Sequence, residues 1–315
     1  MNKELAIIHD ERCLLHKSSF SHPENPSRII SITDYLKKIK LWDETKIYQS
    51  EEASREDILL VHTKNHYNFV RNAINSGKEM LDPDTYAVKD SWMAAHLAAG
   101  AAKMGVDLVM NQSHKYIFSL MRPPGHHAES GMPMGFCIFN NAAVAARYAI
   151  DKYKIEKTAV IDWDVHHGNG TQEIFYDSSN VFYISLHQFP LYPGTGKANE
   201  RGIGEGEGYT LNFPLPAGTK GDVYLKIFEE KIIFELEKFN PQLIFISAGF
   251  DAHKDDPIAN MNLEEKDFSL MTKIIKEFSE RDKSKSIPVI SLLEGGYNLS
   301  ALSRSVYEHL LAFIS

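Results

Sequence analysis

Six short apolar runs punctuate the chain: "LAIIH" (5–9), "YIFSLM" (116–121), "TAVIDWD" (158–164), "VFYISLH" (181–187), "QLIFISAGF" (242–250) and "PVISLLE" (288–294). They are rich in β-branched and aromatic residues and show little alternation of apolar and polar positions. Near-continuous runs of this length suit strands covered on both faces. Between them lie longer amphipathic stretches over 27–39, 55–74, 89–105, 141–153, 222–239, 264–280 and 300–314, which predict helices. The first starts behind Pro26. Strand and helix alternate, so the pattern predicts an α/β fold with a mainly parallel sheet flanked by helices. No internal repeat, low-complexity segment or Pro/Ser linker divides the chain, and a single domain over 1–315 is expected.

In such sheets ligands sit beyond the carboxyl ends of the strands. Each unusual polar cluster follows a predicted strand: "RPPGHHA" (122–128), "DVHHGN" (164–169), "SLHQFPLYPGTG" (185–196), "DAHKDD" (251–256) and "EGGYN" (294–298). Five clusters on one sheet edge point to a site.

Composition narrows the function classes. Hydrophobic content of 43% and charged content of 24% are those of a globular protein. A net charge of −8 lacks the basic face that a nucleic-acid binder needs, so no direct nucleic-acid partner is expected. The longest mildly apolar stretch, 92–110, is broken by His96, Lys103 and Asp107, which argues against membrane association. The apolar run in "MNKELAIIHDERC" is too short for a signal peptide. Cys13 and Cys137, without a CxxC pair, exclude a disulfide framework and a Cys-type zinc site, and a cytoplasmic location is expected.

The chemistry concentrates in "DWDVHHGN" (162–169). If the strand persists, Asp162, Asp164 and His166 share one face. Buried carboxylates side by side repel, and a divalent cation resolves the conflict. Asp164 and His166, with Asp251 from a neighbouring strand, can supply three ligands, the pattern of a catalytic zinc site; Fe2+, Co2+ and Mn2+ also suit the donors. The alternative is a buried hydrogen-bonded Asp/His network. In "RPPGHHA", His126 and His127 project from a rigid turn and suit general acid–base work beside a metal. Asp162 and Asn169 are available to orient them. Taken alone, the pair reads better as two surface histidines. Tyr297 follows Gly295-Gly296 and can donate to a developing oxyanion, or pack as a turn tyrosine. The glycine-rich "GIGEGEG" (202–208) lacks phosphate-loop spacing and precedes no helix.

The ordered set "HPENPSRI", "RPPGHHA", "GFCIFNN", "DWDVHHGNGTQ", "SLHQFPLYPGTG", "SAGFDAHKDDP" and "LEGGYNL" resembles the histone deacetylase superfamily, and more narrowly its bacterial class II-type amidohydrolases. The resemblance spans residues 22–298. It implies a three-layer arginase/deacetylase-like fold and one catalytic zinc on Asp164, His166 and Asp251. It implies a tandem catalytic pair at His126 and His127, and a transition-state tyrosine at Tyr297. It also implies a structural K+ held by Asp162, Asp164, His166, Ser185 and Leu186. Gly135, Phe136 and Tyr192 match an acyl-lysine channel, and Asp82 a rim aspartate that holds substrate backbone. Asn169 stands where class I enzymes carry aspartate, which follows the class II pattern. Asn25 stands where many relatives carry arginine. Ile258 replaces the acidic gatekeeper of one polyamine-specific branch.

The implied activity is removal of acetyl or other acyl groups from lysine in proteins or peptides. Acetylated polyamines and small amides are the alternative substrates. A binuclear ureohydrolase on the same fold needs aspartates where this chain has Gly168 and Gly249. A non-catalytic acyl-lysine binder is a further alternative, although every catalytic position is filled.

Overall fold

A computed structural model describes residues 4–282 and 286–315. Among these residues, one sheet contains β1 (Leu5–Ile8), β2 (Lys46–Tyr48), β3 (Tyr116–Ser119), β4 (Thr158–Asp162), β5 (Val181–Gln188), β6 (Thr210–Leu215), β7 (Leu243–Ala248) and β8 (Val289–Leu293). Their spatial order is β2-β1-β3-β8-β7-β4-β5-β6, and every neighbouring pair is parallel. All six predicted runs are strands, each buried along its whole length. The two strands missed by the pattern, β2 and β6, are the sheet edges. β2 has three residues, and β6 carries Asn212 and Pro214 within its apolar run. Proline is tolerated there because an edge strand leaves N–H positions unpaired.

Helices flank the sheet. Ser27–Lys38 and Glu265–Ser279 each pack on Leu299–Ile314, and Ser91–Met110 packs on Asn141–Tyr153. The predicted helix 222–239 is one helical run from Gly221 to Phe239 with a π turn at Phe228–Ile232. The predicted helix 55–74 is two helices, Arg55–Ile58 and Lys64–Asn75. Thr63 accepts from the His66 backbone N–H and starts the second as its N-cap. Polar residues of this stretch go inward as well, since Asp57, His62 and His66 are buried. No helix among the described residues is long and apolar enough to cross a membrane.

β3, β8, β7 and β4 are consecutive across the centre of the sheet. β7 and β8 insert between two strands that follow each other in sequence. The loops leaving these four strands therefore meet at one carboxyl edge, at a point where the connections diverge.

His309, fully buried in the last helix, lies 2.6 Å from Thr272 Oγ1 and 2.9 Å from Ser291 Oγ, tying two helices to β8. Burial holds its pKa down to about 3, from 6.5 when exposed. The unfolded chain therefore binds the extra proton between those values, and this group's stabilisation is lost as pH falls below 6.5. One such group contributes a slope of up to about 1.4 kcal/mol per pH unit. His309→Gln is expected to lower Tm at pH 7 and to flatten the fall in Tm between pH 6.5 and 5. A fall as steep as the parent's would remove His309 from the acid response.

Candidate functional site

β4 ends at Asp162, so Asp164 and His166 lie in the following turn and do not continue a strand face as the alternation predicts. The turn brings them together by local hydrogen bonding. Asp164 Oδ1 accepts from the His166 backbone N–H at 2.9 Å and lies 3.1 Å from His166 Nδ1. Asp251, just beyond β7, puts Oδ2 3.2 Å from the same nitrogen. All three side chains are buried, and one ligand atom from each falls within 4.8 Å of the others.

Backbone donors from neighbouring loops fix the carboxylates. Gly295 N–H donates to Asp164 Oδ2 at 2.7 Å, and Val165 N–H to Asp251 Oδ1 at 2.9 Å. Asp251 Oδ2 has no aligned donor. Burial opposes a charge on His166, but Asp164 and Asp251 outweigh it and carry its pKa up to about 10. Without another cation the cluster holds a proton between two carboxylates, the position a divalent ion would take. The orphaned oxygen, the mixed N/O donors and the excess negative charge all fit such an ion. Gly249 and Gly295 line this cradle, where a Cβ on either would overlap the Asp164 carboxylate and one on Gly295 also that of Asp251.

The tandem histidines stand beside it with different partners. His126 Nδ1 lies 3.0 Å from Asp162 Oδ2, and its Nε2 lies 3.8 Å from Asp164 Oδ1. Burial opposes its protonation, yet Asp162 and Asp164 raise its pKa to about 10. His127 Nδ1 lies 2.8 Å from Asn169 Oδ1. Burial first, then the neighbouring His126 and His166, push the His127 pKa well below 6.5. Two adjacent imidazoles thus have opposite protonation preferences. Asp162 also accepts from Tyr183 Oη at 3.1 Å.

A cavity of about 210 Å3 opens over the cluster, lined among others by His126, His127, His166, Phe136, Tyr192 and Tyr297. Gly135 and Ile258 also line it. Gly135 has φ +58°, and a Cβ there would strike the His127 ring. Tyr297 N–H donates to Asp256 Oδ2 at 2.7 Å, and burial raises the phenol pKa well above its ordinary value. Asp82 is not among the residues lining the cavity. Its Oδ1 is engaged by the backbone N–H groups of Asp84 and Thr85 at 2.9 and 2.7 Å, and the lining carboxylate is Asp84. Asp162 and Ser185 are register partners on β4 and β5, with Leu186 fully buried next along the strand. Ser185 Oγ lies 2.9 Å from His187 Nδ1.

Sequence reasoning passed over a second buried polar layer. The Asn25 side chain bonds its own turn, at His22, Pro23 and Ser27. The guanidinium against the Tyr297 loop belongs to Arg28, which donates to the carbonyl oxygens of Gly296 at 2.7 Å and of Glu294. It also lies 4.9 Å from the Tyr297 ring centroid. Glu24 joins Arg28 to the buried Arg122, whose Nε is 2.8 Å from Glu24 Oε1. The signal available was the i,i+4 spacing of Glu24 and Arg28 behind a helix start. Glu294 and Asp256, each raised to about 7 by burial, lie in the polar clusters 294–298 and 251–256, but sequence reasoning assigned them no role there.

A profile of the histone deacetylase domain matches residues 22–313. A probable deacetylase of Archaeoglobus fulgidus is 39% identical over 295 residues, covering 93% of this chain and 81% of that protein. Histone deacetylase 10, chloroplastic, of Oryza sativa subsp. japonica is 39% identical over 313 residues, covering 93% of this chain and 70% of that protein. The crystal structure of the HDA15 HD domain superposes with a TM-score of 0.93 at 36% identity, covering 99% of this chain and 88% of that one.

The cradle generates a direct test. With Zn2+ at about 100 times its dissociation constant, the parent protein should gain about 2.7 kcal/mol of stability, read as a rise in Tm. Gly295→Ala, which forces a methyl group against both carboxylates, should abolish that rise. An undiminished rise in this variant would move the ion elsewhere.

Proposed function

The chain belongs to the histone deacetylase family, and we propose that it acts as a zinc-dependent deacetylase, one catalytic domain over residues 1–315. Its proposed substrates are acetylated, or longer acylated, lysine side chains of proteins or peptides. One observation carries the reading. An Asp–His–Asp donor group, two histidines of opposite protonation preference and a tyrosine converge on a single narrow cavity.

Asp164, His166 and Asp251 would hold the zinc ion, and Fe2+ or Co2+ suits the same donors. When bound, such an ion polarises the amide carbonyl and acidifies a water. The residues of the chain do the rest. His127 has Nδ1 committed to Asn169 and stays neutral, so its other ring nitrogen is free to take a proton from water and return it to the leaving amine. His126, kept charged by Asp162, lends positive potential to the carbonyl carbon's surroundings. Tyr297 keeps its phenol proton and donates to the oxyanion as it forms. Asp162 and Asn169 orient the two imidazoles. Gly135, Phe136 and Tyr192 flank a slot suited to an unbranched acyl-lysine stem, with Ile258 as an apolar lip. The products are acetate and a free amine.

K+ beside Asp162, Asp164, His166, Ser185 and Leu186 is part of the proposal, supported by a fully buried Asp162 carboxylate in register with Ser185. A cytoplasmic location is also proposed, supported by two buried free cysteines. A single ion is favoured over a binuclear ureohydrolase centre. A Cβ at Gly168 would overlap Asp162, and one at Gly249 would overlap Asp164. An acetylpolyamine is the second reading, favoured by the Asp84 carboxylate in the cavity wall and the net charge of −8.

Amine release from an acetyl-lysine peptide and an acetylpolyamine, measured side by side, tests the reading. Peptide turnover with poor polyamine turnover is expected, and the reverse preference would transfer the assignment to small amides. Tyr297→Phe should lower kcat by roughly 10²–10³-fold with little change in KM, the scale of one lost oxyanion donor. Parent-like turnover would take Tyr297 out of the chemistry.

A further inference from the structure

The side-chain amide of Asn169 is held between opposite chemistries at its two ends. Its Oδ1 lies 2.8 Å from His127 Nδ1. Among the described residues its Nδ2 faces three acceptors: Glu129 Oε1 at 2.8 Å, Met134 Sδ at 3.3 Å and the His127 carbonyl oxygen at 3.5 Å. Turning the amide over would set its oxygen against a carboxylate. Glu129 thereby decides which end of Asn169 meets the histidine. An amide oxygen can only accept, so His127 must carry its proton on Nδ1, and a neutral imidazole then has a bare lone pair on Nε2.

Glu129 is itself anchored. Its backbone N–H donates to Met132 O at 3.0 Å, and its carbonyl accepts from His62 Nδ1 at 3.0 Å. His62 has no freedom to reverse that bond, since its Nε2 accepts from the Asn140 backbone N–H at 2.8 Å. Glu129 is absent from the lining of the cavity over the Asp–His–Asp cluster. It lines instead a neighbouring groove of about 560 Å3, on the far side of Asn169.

We propose that Glu129 is a positioning residue that, through Asn169, sets the tautomer of His127 and so keeps its Nε2 free to accept a proton. The kinetic consequence rests on the amide-hydrolysis reading above; the tautomer does not. The role needs an acceptor at position 129 and not a charge. Glu129→Gln keeps an acceptor, Glu129→Leu removes it, and Glu129→Lys presents donors that favour the reversed amide.

The test has two readouts on the zinc-loaded protein. Two-bond ¹H–¹⁵N correlation spectra of ¹⁵N-histidine-labelled samples should show His127 protonated at Nδ1 in the parent and in Glu129→Gln. Glu129→Lys should shift it to Nε2, with Glu129→Leu giving a mixture. In deacylation assays Glu129→Gln should stay within about threefold of the parent kcat, while Glu129→Lys loses about 10²-fold or more, the scale of a lost general base, at nearly constant KM. An unchanged Nδ1–H tautomer in Glu129→Lys would overturn the proposal. So would equal damage from Gln and Leu, because charge and not orientation would then be at work. Should the Lys variant fail to fold, Glu129→Leu decides by its tautomer alone. Should the parent turn over no acylated substrate, the deacetylase reading fails while the tautomer comparison still stands or falls independently.

Discussion

The structure depends on holding two buried carboxylates, Asp164 and Asp251, against one imidazole nitrogen. Like charges in that setting repel, and burial alone would protonate one of them. The fold meets the constraint with oriented backbone. N–H groups from the turn after β4 and the loop after β8 point at the carboxylates. They stitch the ends of β4, β7 and β8 together through the site. Glycine is required at 249 and 295 because any side chain would occupy the space of the carboxylates. One positive charge between Asp164, His166 and Asp251 balances the two carboxylates, a need that a protonated His166 meets and that a metal ion could meet.

A second buried layer holds the rim of that site. The Tyr297 loop is clasped from two sides, by Asp256 on its own backbone N–H and by Arg28 on the carbonyls of Glu294 and Gly296. Arg28 is tied through Glu24 to Arg122, which begins the loop that carries His126 and His127. Glu294 Oε2 accepts from the backbone of Gly125 and His126 at 2.7 and 3.2 Å. The tyrosine and the histidines are thus mechanically linked, although they lie on loops from different strands. Cutting a buried pair such as Glu24–Arg122 would leave an uncompensated charge, at a cost of about 3–5 kcal/mol, and would loosen both loops together.

Much of this was legible in the amino-acid order because central strands and strand-end chemistry are local properties. The runs at 116–121, 158–164, 242–250 and 288–294 became the four central strands, and the polar clusters following them converge as expected. Edge strands escaped, since three residues at 46–48 and a run broken by Pro214 leave no periodic signal. The helix over 55–74 failed for a local reason, as one threonine cap restarted it. Asp82 and Asp84 share one turn, and the turn decides that Asp84 is the carboxylate lining the cavity. Arg28, Glu294, Asp256 and Glu129 act through contacts between distant segments, which residue spacing does not encode.

In the proposed mechanism one cation, seated on Asp164, His166 and Asp251, completes the site. The most direct measurement is deacylation rate against added Zn2+ in metal-stripped protein, with bound zinc counted in the same samples. Rate and occupancy are expected to rise together and saturate at one ion per chain. Full activity in the stripped protein, or a rate that keeps rising until two ions are bound, would contradict that mechanism.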